Sequence, residues 1–238
     1  MNVYSTSLRL RNKDVNLHRR LRTSTLFELL QEASIKHTED LGMGRDKTLD
    51  KGLLWVVTLQ RAEITRMPEY DETITVETWP GDTMHVLFPR YYRVLNSEGK
   101  TVISASALWT LVDEETRRMV FPDRYGVRIT GIVTGNEIAL PSPPHKAKAP
   151  ADAVFTVPFS YVDLNGHMNN TRYFDLAEDH IPAAAEGKAL CGIETEYAGE
   201  ALLGDAIAIA VEETADGVFL VSGETERKIF RMKFAYGE

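Results

Sequence analysis

Cysteine is nearly absent from this 238-residue chain, with Cys191 standing alone. One cysteine excludes an internal disulfide and any metal site built on several thiolates, and it fits a reducing compartment. Long apolar runs are missing as well. The longest stretch free of Asp, Glu, Lys and Arg is Thr101 to Val112, twelve residues. A membrane-crossing helix needs about 20, so no span is expected. The first residues, MNVYSTSLRLRNKD, hold no apolar leader segment, and the expected setting is the cytoplasm. Positive charge is in deficit: 27 Lys and Arg face 35 Asp and Glu, a net charge of −8. That balance argues against nucleic-acid binding through bulk charge. The chain has no GxGxxG, no Walker A loop and no GxSxG elbow. Its six histidines (His18, His37, His85, His145, His167 and His180) show no HExxH spacing. No metal and no cofactor is expected.

What is present is ordinary globular usage, 43% hydrophobic and 26% charged, which excludes disorder, collagen and a simple coiled coil. The length suits two small domains. Charge is uneven. Residues 1–36 carry seven basic side chains against three acidic ones, and residues 150–238 carry six against sixteen. Such clusters are two solvated faces, or else the first is a landing area for an acidic macromolecule.

Leu26, Leu29, Leu30, Ala33 and His37 recur at helical spacing, which predicts a helix over Thr23 to Leu41. Thr23 or Ser24 is the expected cap, because a short side-chain oxygen accepts a free backbone N–H there. Gly42 is the expected stop. Leu53 to Leu59 is an apolar run of strand length. Thr73 to Trp79 alternates, and Val86 to Leu95 and Thr101 to Val112 flank a turn at Asn96 to Gly99. Asp113 to Arg117 forms another turn before a short strand, Arg118 to Phe121. Strands at hairpin spacing predict an antiparallel sheet. From Gly126 to Pro158 the patterning weakens, and clustered prolines mark a surface linker. A second helix follows, capped by Asn169 or Asn170 and ending near Pro182. Strands are expected at Ile193 to Tyr197, Ala206 to Val211, Val218 to Ser222 and Lys228 to Ala235.

Both halves therefore read as one helix followed by antiparallel strands, an α+β pattern. Asp14-Val-Asn16-Leu-His18 precedes the first helix, and Asp163-Leu-Asn165-Gly-His167 precedes the second. Tandem duplication accounts for this, with repeats at 1–130 and 158–238 joined by a linker at 131–157.

The densest polar cluster is DLNGHMNN, Asp163 to Asn170. His relays protons near neutral pH, Asp and Asn can orient it, and free N–H groups at a helix start can polarise a carbonyl. The alternative is a loop with an asparagine cap. Tyr197-Ala-Gly-Glu200 places a carboxylate among weakly polar neighbours, suited to a base or nucleophile; the alternative is an exposed strand acid. Cys191 lacks a nucleophile signature and is expected to be buried and inert.

In order and spacing these segments resemble the acyl-acyl carrier protein thioesterases of fatty-acid biosynthesis. The resemblance covers nearly the whole chain. It runs from Thr25 through LQEASIKHTEDLG to LLWVVTLQ, then VETWP at Val76 to Pro80, DLNGHMNN, and Tyr197 with Glu200. It implies a tandem double hotdog, each repeat an antiparallel sheet wrapped around one long helix. It implies hydrolysis of the thioester between a fatty acyl chain and the carrier's phosphopantetheine arm, with no metal or nucleotide. The family's Asp-x-Asn-x-His falls on Asp163, Asn165 and His167, and its glutamate on Glu200. Some members carry a cysteine next. Ala201 stands there instead, which sets a cysteine acyl-enzyme aside. Counting back from Asp71 as from Asp205 puts Arg66 in the place of Glu200, so a single active site is expected.

The acyl tunnel would draw on Leu26, Leu29, Leu30 and Trp55, which otherwise are core. Arg19, Arg20 and Arg22, with Arg9, would dock an acidic carrier protein. Rival readings are an acyl-CoA thioesterase, a hotdog dehydratase of 3-hydroxyacyl thioesters, and a non-catalytic acyl or carrier binder. Monomer and homodimer both remain open.

Overall fold

A computed structural model describes residues 3–237. The first half runs β1 (Tyr4–Arg9), α1 (Thr23–Asp40), α2 (Arg45–Leu49), β2 (Leu53–Ile64), β3 (Thr73–Pro80), β4 (Leu87–Leu95) and β5 (Thr101–Asp113). The second runs β6 (Ala153–Thr156), α3 (Arg172–Glu178), α4 (Pro182–Ala185), β7 (Ala189–Tyr197), β8 (Ala206–Ala215), β9 (Val218–Glu224) and β10 (Lys228–Gly237). The strands make one antiparallel sheet in the order β1-β3-β4-β5-β2-β7-β10-β9-β8-β6. Read from the β2–β7 seam outward, the two halves have the same order. At that seam Arg61 lies opposite Glu194, within a register from Leu59↔Glu196 to Glu63↔Gly192. An approximate two-fold axis passes here. It also passes between Phe27 of α1 and Phe174 of α3, whose rings stack with centroids 4.1 Å apart and planes within 9°.

Helical periodicity in α1 sets what it buries. Leu26, Phe27, Leu30, Ala33, Ser34 and His37 face inward, and the first four join Ile74, Val76 and Val94 of the sheet in one core. Each large apolar side chain so buried stabilises the fold by about 1.5–3 kcal/mol. The Ser34 and Tyr92 hydroxyls, 2.7 Å apart, tie the helix to β4.

Four sequence expectations are corrected. Thr23 and Ser24 do not cap α1. Their hydroxyls donate across the axis, to Glu178 Oε1 at 2.8 Å and Asp175 Oδ1 at 2.5 Å. The edge strands β1 and β6 carry no strong apolar alternation and were not expected; β6 lies inside the expected linker and pairs with β8. Arg118 to Phe121 is no strand, with a single bridge from Met119 to Val112. The rest of the linker is held against the sheet. Val127 and Ile129 complete a second core with Leu53, Phe88 and Leu111, Ser106 Oγ donates to Ala139 O at 2.6 Å, and Lys146 pairs with Glu224 at 2.8 Å. Pro182 does break the second helix, between α3 and α4. Among the described residues no helix is long and apolar enough to cross a membrane.

Candidate active site

The Asp-x-Asn-x-His segment forms a tight reversal between bridged Val162 and Met168. Asp163 N–H donates to His167 O at 2.9 Å, and Gly166 N–H donates to Asp163 O at 3.0 Å. Asp163 Oδ1 accepts from Asn165 N–H at 2.8 Å, the side-chain turn that Asp favours. Gly166 has φ 81°, where a Cβ would be strained. The reversal then lies against residues 201–202. His167 bridges Leu202, and Met168 N–H donates to Ala201 O at 2.8 Å.

Glu200 arrives from the end of β7. Ala198 and Gly199 N–H both donate to Ile229 O, at 2.8 and 3.0 Å. A Cβ on Gly199 would come within 2.6 Å of Lys228 O, so only glycine lets the chain hug β10 here. Arg227 Nη2 donates to Glu200 O at 3.0 Å, and Asp205 Oδ2 accepts from Leu202 N–H at 2.9 Å. Glu200 Oε2 consequently stands 3.3 Å from His167 Nε2. Both side chains are partly exposed, 40% and 22%, so a ligand from outside can reach them. Asn165, two residues before His167 in the same reversal, is exposed. This pair can exchange a proton with a bound reactant.

Three nearby features were not anticipated. Arg117, from the turn after β5, pairs with Glu200 Oε1. Arg45, the first residue of α2, donates to Asn165 Oδ1 at 3.3 Å. Both come from the first half, and neither carries a spacing signal in the sequence. Tyr197, though part of Tyr-x-x-Glu, turns inward. Its hydroxyl donates to Gln60 Oε1 at 3.0 Å and Asn170 O at 3.1 Å, and burial raises its pKa well above the ordinary tyrosine value. Two of the N–H groups at the start of α3 have partners. Thr171 N–H donates to Asn169 Oδ1 at 2.9 Å, and Arg172 N–H to Asn169 O at 3.0 Å.

The first half contains the same reversal, in a different register from the letters. Asn16 N–H donates to Arg20 O at 2.8 Å and Arg19 N–H to Asn16 O at 3.0 Å. Asn16 Oδ1 accepts from His18 N–H at 3.0 Å. Asn16 therefore occupies the place of Asp163, and Arg20 that of His167. Leu21 N–H donates to Pro68 O at 2.7 Å as Met168 does to Ala201. That puts Met67, and not Arg66, opposite Glu200. Arg66 instead forms a two-point pair with Glu72, both contacts 2.8 Å. The Asp14-Asn16-His18 match is thus displaced by two residues. The frame is repeated, but its proton-carrying side chains are not.

The other expected site residues separate. Leu26 and Leu30 are fully buried in the main core and Leu29 packs on it. Trp55 belongs to the second core, with its ring edge-on to Phe88 at 4.7 Å and Nε1 donating to Met43 O at 3.0 Å. A cavity of about 290 Å3 beside it is lined by Met43, Thr48 and Val127, among others. Arg20 is not free for docking: Nη1 donates to Gly187 O at 2.8 Å and Lys188 O at 3.2 Å. Arg19 and Arg22 are exposed, and Arg19 lies over the Tyr70 ring at 5.5 Å. Arg19 and Arg20 lie within the first-half reversal and Arg22 just after it, in the frame related to the His167 site by the two-fold axis. Cys191 is exposed, not buried.

Residues 1–123 match the acyl-ACP thioesterase N-terminal domain and residues 145–235 the C-terminal domain of the same family. A chloroplastic acyl-[acyl-carrier-protein] hydrolase of Cuphea viscosissima is 26% identical over 212 residues, covering 83% of this chain and 52% of that protein. A chloroplastic palmitoyl-acyl carrier protein thioesterase of Cuphea hookeriana is 23% identical over 214 residues, again 83% and 52%. The chain thus spans about half the length of the curated relatives it matches. Among solved structures, an acyl-ACP thioesterase from Bacteroides thetaiotaomicron superposes with a TM-score of 0.85 at 22% identity, covering 99% and 98% of the two chains. The 12:0-ACP thioesterase from Umbellularia californica does so at 0.79 and 19%, covering 99% and 97%. The fold is accordingly the α+β double hotdog.

Proposed function

The chain belongs to the acyl-ACP thioesterase family, and from that premise we propose that it hydrolyses the thioester of a fatty acyl-acyl carrier protein to free fatty acid and carrier thiol. The observation that carries this reading is the Glu200–His167 pair at 3.3 Å, with the exposed Asn165 in the same reversal as His167. Glu200 takes a proton from a water molecule as that water adds to the thioester carbonyl. The oxyanion of the tetrahedral adduct accepts a hydrogen bond from the Asn165 side-chain amide. Its Oδ1 accepts from Arg45, which turns the N–H groups the other way. When the adduct collapses, the C–S bond breaks. The proton held by the Glu200–His167 pair passes to the leaving sulfur. Asp163 shapes the reversal through Asn165 N–H. Ala201, fully buried, supplies no nucleophile.

The first repeat contributes part of the acyl-binding wall and the exposed Arg19 and Arg22, which attract an acidic carrier. The work belongs to the cytoplasm and to fatty-acid biosynthesis. The test is thiol release from matched acyl-carrier-protein and acyl-CoA panels of increasing chain length. Fast release from the carrier series, lost in Glu200→Ala, is the expected result, and it reads out chain length as well. Release from the CoA series alone would replace the carrier by a CoA handle. Release from neither would return the site to the dehydratase and binder readings.

A further inference from the structure

Glu200 is held from the opposite repeat. Its side chain is 40% exposed, and an exposed glutamate samples several rotamers unless anchored. Here Oε2 faces His167 and Oε1 faces Arg117. Arg117 sits in a turn that is built rather than loose. Arg117 N–H donates to Asp113 O at 2.9 Å, and Asp113 N–H donates to Arg118 O at 2.9 Å. Asp113 Oδ1 accepts from Thr116 N–H at 2.8 Å and from Thr116 Oγ1 at 2.7 Å. Those bonds hold the Asp113 carboxyl below the usual carboxylate range. Arg117 itself has φ 55°, a conformation uncommon outside glycine and unfavourable for a long side chain. The turn spends that strain on aiming one guanidinium across the repeat boundary.

We infer that Arg117 is a positioning residue: the turn after β5 of the first repeat fixes the Glu200 carboxylate of the second against His167. The inference rests on the hydrolase reading and deepens it, because it makes one active site the joint product of both repeats. Two lone-pair positions remain on the carboxylate once His167 and Arg117 each engage one oxygen, so the base stays available to water. Arg227 fixes the Glu200 backbone in the same way, but it belongs to the same repeat.

The experiment compares Arg117→Gln, Arg117→Lys and Arg117→Ala with the unaltered chain on acyl-carrier protein and on the small substrate S-acyl-pantetheine. Arg117→Gln is expected to lower kcat roughly 100-fold on both, the scale of a misplaced reacting group, with KM little changed. Arg117→Lys should recover part of this, and added guanidinium ion should partly restore Arg117→Ala. A rise in KM confined to the carrier substrate, with kcat intact, would overturn the inference by making Arg117 a docking cation. If the unaltered chain hydrolyses neither substrate, the hydrolase reading itself fails. A thermal double-mutant cycle of Arg117→Gln with Glu200→Gln then decides the contact alone. A double variant melting no lower than the weaker single variant sustains the hold on Glu200, and additive losses overturn it.

Discussion

The reversals Asn16 to Leu21 and Asp163 to Met168 share a backbone and differ in what they carry. In both, the first residue caps the turn with its side chain, and the last donates to the strand-like segment behind it. The second presents His167 to Glu200. The first presents Arg20 to two carbonyls, Gly187 O and Lys188 O, and offers Met67, 7% exposed, where the acid would be. His18 joins the same clasp, with Nε2 3.0 Å from Ala185 O. One frame carries the proposed proton-transfer pair and the other fastens the two repeats together. That division rests on a few exchanged side chains, with His18, Arg20 and Met67 standing where the second frame has Asn165, His167 and Glu200.

The comparison breaks most sharply at Glu200. Glu200→Gln keeps the shape and removes the base, and kcat should fall roughly 10³-fold in a thiol-release assay. Next in size is the axis shared by both frames. Phe174→Ala removes a ring stacked on Phe27 in the fully buried core, and chemical denaturation should report a loss of about 3–5 kcal/mol.

A third effect depends on pH. Burial raises the Glu178 carboxyl to about 7, assisted by Asp175 and Asp179 and opposed by the Thr23 and Tyr236 hydroxyls. A carboxyl raised in the folded state stabilises it fully below its unfolded pKa, near 4.5. That stability is lost as pH rises toward about 7. Stability should therefore decline across this window by up to about 3 kcal/mol, and Glu178→Gln should flatten the decline in urea titrations at stepped pH. The smallest effect sharpens the contrast between the two frames. Arg20→Ala should cost about 1 kcal/mol of stability and leave kcat alone. A rise in KM confined to the carrier substrate would return Arg20 to the docking role that the sequence suggested.

Much of this is legible in the sequence. The apolar spacing of α1, the continuous run in β2 and the turn at Asn96 to Gly99 all describe local physics, and local physics is written along the chain. The edge strands β1 and β6 are not, because Tyr-Ser-Thr-Ser-Leu-Arg and Ala-Val-Phe-Thr are short and hold too few apolar residues at alternate positions to stand out. The candidate pair was visible as residue types, since Asp-Leu-Asn-Gly-His and Tyr-Ala-Gly-Glu are compact. Register was another matter. Three matching letters aligned Asp14 with Asp163, whereas the backbone hydrogen bonds align Asn16 with it. Side-chain identity can drift by two positions within a turn while the ladder stays fixed. Arg117 and Arg45 were invisible for a different reason. They reach the site across the repeat boundary, and no spacing rule connects them to Glu200 or Asn165.

The seam where β2 meets β7 has a consequence for how the chain is made. β2 ends at Ile64 and β7 begins at Ala189. At ordinary translation rates of about 5–20 residues per second, the ribosome needs on the order of ten seconds to deliver the second after the first. Once β5, ending at Asp113, has paired with β2, the nascent first repeat carries a long strand with one row of backbone donors and acceptors unmet until β7 arrives, the kind of edge that recruits neighbouring chains. Arg61 and Glu63, standing on that bare row, keep it charged until its own partner emerges.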